Sequence, residues 1–289
     1  MKIPAGNDKF LLMFVPEQID PVRVIGMFEP IGVSDLKKFR KGLKTVDSHM
    51  DKFRTFVGLA NKLIPGFDID RKQLDEMGHT PAVHSKEFAA IIESCICELY
   101  SSIDGVRYVL HSLYRKVAGI PEKSNEKLFK KAYMGELGES FPERLNALLA
   151  DAYLDWFKEL REFRTDMVHG SLGACSMDPQ TKIIRYFHSS NRKHGMDDFV
   201  DYIGCMYRKV SEFLNLVFDY LYMSLTFKNC SSMCGIYKGR CYERLISAEY
   251  PLRNSSGYCV SRQWFEAEKE FYCPLANNCL AYTNAVSEL

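Results

Sequence analysis

The sequence predicts a mainly α protein: a four-helix up-and-down bundle with a small β hairpin after the third helix, a strand-like N-terminal extension and a cysteine-rich C-terminal subdomain. Three observations predict it. Apolar residues recur at alternating spacings of three and four over four long stretches. Polar, Pro- and Gly-bearing segments separate those stretches. Cysteines and aromatics then crowd the end of the chain. Helices that each carry one apolar face bury it by closing on one another, which makes a bundle the economical arrangement. The implied organisation is an extension over 1–32, a bundle over 33–227 and a cysteine- and aromatic-rich segment over 228–289.

Residues 1–32 read as strand-like and irregular, punctuated by Pro4, Pro16, Pro21 and Pro30. The first helix follows from Ser34 as N-cap, with Leu36, Phe39, Leu43, Val46, Met50, Phe53, Val57, Ala60 and Ile64 as its stripe and Pro65-Gly66 as its stop. The second is capped by Ser85, runs through Phe88, Ile91, Ile92, Cys95, Leu99, Ile103, Val106, Leu110, Leu113 and Val117, and ends at Gly119-Ile120-Pro121. Residues 121–141 read as a polar connector. The third helix begins near Pro142 and carries Leu145, Leu148, Leu149, Ala152, Trp156, Leu160, Phe163 and Met167; Gly170 fits a left-handed position just past its end. Lys182 to His188 alternates loosely, as one arm of a hairpin would. The fourth helix carries Phe199, Ile203, Met206, Val210, Phe213, Val217, Leu221 and Leu225.

Thirty-eight basic residues against 37 acidic ones give a net charge of +1, so attraction to nucleic acid must come from local patches rather than from the whole molecule. The composition, 46% hydrophobic and 26% charged, is globular. Phe10 to Val15 is an apolar run too short to cross a membrane or to form a signal-peptide core, and it reads as a strand. Ten cysteines without a secretory signal point to a reducing cytoplasm. Phosphate-loop, dinucleotide-turn, zinc-protease and nucleophile-elbow motifs do not occur. Asp68, Asp70, Asp75 and Glu76 crowd together without EF-hand spacing, and His79 and His84 read as lone surface histidines.

Chemistry concentrates at Arg164-Thr165-Asp166-Met167-Val168-His169-Gly170, where the third helix ends. Residues five apart on a helix differ by about 140° in direction, so Arg164 and His169 converge only if the helix stops between them. Arg164 has no acid three or four residues away, which leaves it without a local ion pair. His169 is either a cation set against the helix dipole or a proton-transfer group.

Arg-x4-His followed by Gly, late in the third helix of a four-helix pattern, resembles the HEPN superfamily over roughly residues 34–227. The resemblance implies a helical-bundle homodimer that works as a metal-independent endoribonuclease, in toxin–antitoxin, phage-defence or RNA-processing systems and in some cases with an inhibitor or antitoxin partner. No catalytic cofactor is implied. A ribose 2′-hydroxyl would attack the neighbouring phosphate, with His169 moving the proton and Arg164 holding the phosphate oxygens. The products would be a 2′,3′-cyclic phosphate and a 5′-hydroxyl. Thr165 stands where the family usually has Asn, Asp or His, with Asp166 one place later; either is a candidate to orient the imidazole. Ser171 replaces the tyrosine that some toxins of the superfamily carry two places after the histidine. The alternative is a HEPN-like module that binds protein or nucleic acid and cleaves nothing.

Three basic clusters offer backbone contacts: Lys37, Lys38, Arg40, Lys41 and Lys44; Lys123, Lys127, Lys130 and Lys131; and Arg185, His188, Arg192, Lys193 and His194. The third interleaves with Tyr186 and Phe187, which either stack on single-stranded RNA or belong to the core. Cys230, Cys234, Cys241, Cys259, Cys273 and Cys279 fall in the last 60 residues. They read as buried thiols or as ligands of a structural zinc, in which case the tail would be the working part of a scaffold.

Overall fold

The computed structural model describes residues 11–12, 21–188, 198–246 and 257–287, and it is mainly helical with small antiparallel sheets. The chain forms two compact units. One spans Val33–Tyr220; the other joins Met1–Gly32 to Leu221–Leu289.

The larger unit is built on two long helices, α2 (Leu36–Leu63) and α4 (Val83–Tyr114), packed along their lengths. The predicted stripe of α2 is the buried one, through Phe39, Leu43, Val46, Met50, Phe53 and Ala60. Its cap is Asp35 rather than Ser34: the Asp35 carboxylate accepts the Lys38 N–H at 3.0 Å. The helices approach so closely at Gly42 and Gly105 that a Cβ on Gly105 would lie 2.6 Å from the Gly42 carbonyl oxygen.

Pro65-Gly66 does not lead into a loop. It starts α3 (Gly66–Met77), whose buried Asp70 takes over the capping of α4. The Asp70 carboxylate accepts the backbone N–H and hydroxyl of Ser85, both at 2.8 Å, and the His84 imidazole at 2.8 Å. Ser85 is therefore inside the helix it was expected to cap, and His84 is bound rather than a free surface histidine. The segment read as a polar connector folds as α5 (Asn125–Met134), because its Leu128, Phe129 and Ala132 share a face and are buried. Ser124 caps it.

The third predicted helix is interrupted. α6 (Glu143–Ala152) passes through a π turn, Tyr153–Phe157, into α7 (Lys158–His169). The sequence stripe does not mark this turn: the two successive fours at Ala152, Trp156 and Leu160 recur at Cys95, Leu99 and Ile103 in the uninterrupted α4. Phe129 stacks on Phe157 at a centroid distance of 4.0 Å, fixing α5 to this turn. The expected hairpin follows, β3 (Ala174–Met177) antiparallel to β4 (Ile184–Phe187). The next helix is α8 (Phe199–Ser224).

In the smaller unit, β1 (Leu11–Leu12) edges a four-stranded antiparallel sheet with β6 (Cys230–Tyr237), β7 (Arg240–Ile246) and β8 (Gly257–Cys259). Leu11 and Leu12 thus bear out a strand there; Phe10 and residues 13–15 lie outside the described residues. α1 (Pro21–Met27) is helix where strand was expected. β2 (Glu29–Pro30) pairs with β5 (Phe227–Lys228). Two short helices, α9 (Arg262–Ala267) and α10 (Leu280–Ser287), complete this unit. Among the described residues, no helix is long and apolar enough to cross a membrane.

Candidate functional site

Helix α7 is continuous through both motif residues and ends at His169. The stop expected between Arg164 and His169 is therefore absent. A regular helix sets the two side chains about 140° apart in direction and about 7.5 Å apart along the axis. Arg164 is half-buried toward α4, with its guanidinium 5.4 Å from the centre of the Tyr100 ring, a cation–π arrangement. Arg164 also lies close enough to Cys97 to oppose the burial that raises that thiol. His169 is exposed at the C-terminal end of the helix. Gly170 is not left-handed. It is extended, with φ −98° and ψ −176°, and its N–H donates to the Asp166 carbonyl at 2.8 Å.

Thr165 is exposed, and its hydroxyl donates to the Arg161 carbonyl at 2.7 Å, a bond within the helix. Asp166 is half-buried. Arg161 pairs with Glu126 of α5 at 2.8 Å.

The hairpin after the motif corrects the RNA-contact assignment. Strand alternation turns Ile184 and Tyr186 inward and Arg185 and Phe187 outward. Tyr186 is fully buried, stacks on Phe199 at 4.5 Å and donates its hydroxyl to Glu93 at 2.8 Å. Burial first, then that bond to Glu93, raises its pKa. His188 is buried too, and so close to Gly170 that a Cβ there would overlap its ring. Neither can stack on RNA. Arg185 and Phe187 are exposed on the same side, with Phe187 51% accessible. Arg192, Lys193 and His194 lie outside the described residues.

Glu93, on α4, has no signature in the sequence. Besides Tyr186 it accepts the Gly173 N–H at 2.7 Å, so one carboxylate anchors the hairpin that follows α7. A Cβ on Gly173 would lie 2.5 Å from the Tyr186 ring, which is why a glycine precedes β3.

The tail cysteines divide. Cys241 is exposed and Cys230 packs beside Phe28 and Ile246. Cys234, Cys259 and Cys273 each lie near enough to neighbouring thiols, Cys279 among them, to resist ionisation further. Arg244 lies among them, its Nε–H donating to Cys234 Sγ at 3.0 Å. Burial raises the Cys259 thiol to about 11. Among the described residues, no group of three or more His, Cys, Asp or Glu side chains is arranged to hold a metal ion.

Compared with known protein families, curated proteins and solved structures, the chain matches none of them. The class defined by fold and site is therefore a mainly helical protein bearing Arg-x4-His at a helix end.

Proposed function

We propose that this chain is a HEPN-like module that binds RNA and does not use Arg164 and His169 as a catalytic pair within one chain. The observation that carries this reading is the unbroken α7: it directs Arg164 toward Tyr100 and leaves His169 on another side of the helix. RNA is favoured as the ligand because Arg185 and Phe187 present a cation beside an exposed ring, a combination suited to a charged backbone with splayed bases.

A second reading is supported by the exposure of His169. In a homodimer, His169 of one copy would work beside an arginine of the other, making a metal-independent ribonuclease that leaves 2′,3′-cyclic phosphate ends. An inhibitor partner belongs to that reading. One experiment separates the two. Purified protein is incubated with mixed RNA in excess EDTA beside a His169→Ala control, and binding is followed on the same RNA by fluorescence anisotropy. The module reading expects binding by both proteins and no new ends. Cleavage by the parent alone, with cyclic phosphate ends, would replace it with the nuclease reading. Absence of RNA binding would remove it.

A further inference from the structure

Two basic clusters far apart in the sequence close on one cleft. The first turns of α2, residues 107–108 of α4 and the segment before α5 surround a cavity of about 540 Å³. Lys37, Lys38, Lys41, Arg107 and Lys123 line it against only two carboxylates, Asp35 and Glu122. Both carboxylates are engaged. Asp35 caps the Lys38 N–H, and Glu122 pairs with the Lys38 ammonium at 2.9 Å.

The remaining cations are held or left open. Arg107 is buried, bonded to Asn125 and to Asp104 at 2.8 Å each, with its guanidinium 4.6 Å from the centre of the Tyr108 ring. The Lys41 ammonium approaches the same ring at 5.3 Å. Lys37, Lys41 and Lys123 are exposed and make no ion pair with a described residue. The Lys38 ammonium also lies 3.0 Å from His111 Nδ1. His111 is held below its ordinary value by burial first and then by the Lys38 ammonium, with Glu122 opposing. The N-terminus of the 28-residue α2 adds its dipole at the same place.

A polar cavity of this size lies in the range of small-ligand sites, and converging ammonium groups at a helix N-terminus suit a polyvalent oxyanion. We infer that this cleft binds phosphate esters, presented by an RNA chain or by a free nucleotide. Its RNA form rests on the module reading above; its nucleotide form does not.

The full-length protein is titrated, in EDTA, with a fluorescent single-stranded RNA oligomer and separately with ATP. The variants are Lys37→Gln/Lys41→Gln in the cleft, Lys127→Gln/Lys130→Gln as a pair of equal charge change outside it, and Glu122→Gln, which releases Lys38. All five substituted residues are exposed or half-exposed, and circular dichroism checks that each variant folds. The cleft pair should bind every probe that the parent binds about tenfold more weakly, and its RNA salt dependence should flatten by about 1.4 units of slope, about 0.7 for each lysine removed. The outside pair should bind as the parent does, and Glu122→Gln should bind more tightly. Equal affinity of parent and cleft pair, or an equal loss in the outside pair, overturns the proposal. RNA binding that ignores the cleft pair, with no cleft-dependent ATP binding beside it, overturns the cleft and leaves the module reading standing. Cleft-dependent ATP binding without RNA binding supports the cleft and removes the module reading. Binding of neither probe overturns both.

Discussion

Alanine at Gly42 and alanine at Gly58 should change stability in opposite directions, although both glycines lie in α2. In a helix interior, Gly→Ala gains about 0.5–1 kcal/mol from reduced unfolded-state freedom and better propensity. Gly58 is exposed, and a Cβ there meets nothing within 4 Å, so that gain should appear in full. At Gly42 the new methyl would lie 2.7 Å from Val109 Cγ2, 2.8 Å from the Gly105 carbonyl oxygen and 2.9 Å from the Val109 nitrogen. Two of those atoms are backbone of a packed helix and cannot rotate aside. Overpacking of this kind costs about 1–3 kcal/mol, and against rigid backbone the upper part of that range applies. The net expectation is a loss of about 1–2 kcal/mol, placing the two variants roughly 1.5–3 kcal/mol apart. Urea unfolding followed by circular dichroism reads this as midpoints moving apart at constant slope. A Gly42→Ala protein as stable as Gly58→Ala would refute the close crossing. If the crossing is as described, Gly42→Ala should also weaken phosphate binding, since Lys41 and Tyr108 flank it.

Other perturbations follow from buried polar groups. Burial resists ionisation of Asp70, but the hydrogen bonds from His84 and Ser85 outweigh it and hold the group below 3.8. A depressed folded value means that its stabilisation is complete above the unfolded value and is lost as pH falls through about 4 toward the folded value. Asp70→Asn should lower stability at neutral pH by about 1–3 kcal/mol and flatten the loss below pH 4, measured by denaturation at several pH values; an unchanged acid limb would count against the capping role. Tyr186→Phe leaves Glu93 without its hydroxyl donor and should cost about 1–2 kcal/mol, with faster amide exchange across β3 and β4; wild-type exchange would contradict the anchor. Under native conditions iodoacetamide should modify exposed Cys241 well before Cys95 and Cys175, whose thiols burial pushes up to about 12. Peptide mass spectrometry gives the order, and early labelling of Cys95 would overturn it.

The long helices were legible because α2, α4 and α8 carry apolar stripes over many turns. Shorter helices were not. Lys127, Lys130 and Lys131 hid the Leu128, Phe129 and Ala132 face of α5, and Pro65-Gly66 serves equally well as the end of one helix and the start of another. Caps were misread wherever the capping group came from elsewhere, as Asp70 reaches Ser85 across 15 residues. In the site, the motif could be found from the sequence but its geometry could not. Whether a helix ends before or after His169 depends on packing beyond it. The alternation through Ile184, Arg185, Tyr186 and Phe187 permits either parity, and distant partners, Glu93 on α4 and Phe199 on α8, decide that Tyr186 faces inward. The cleft was invisible for the same reason, since Lys41 and Lys123 become neighbours only through the crossing at Gly42 and Gly105.

The π turn at Tyr153–Phe157 takes up one amino acid more than an α turn would, so the helix beyond it keeps its facing. Every residue of a helix adds about 100° of rotation. Deleting one position in that turn would close it to an ordinary α turn and leave the Arg164–His169 face where it is, whereas a one-residue deletion in a regular helix turns everything beyond it by that amount. The turn is thus a place where chain length can change by one codon while the motif and its facing are both kept.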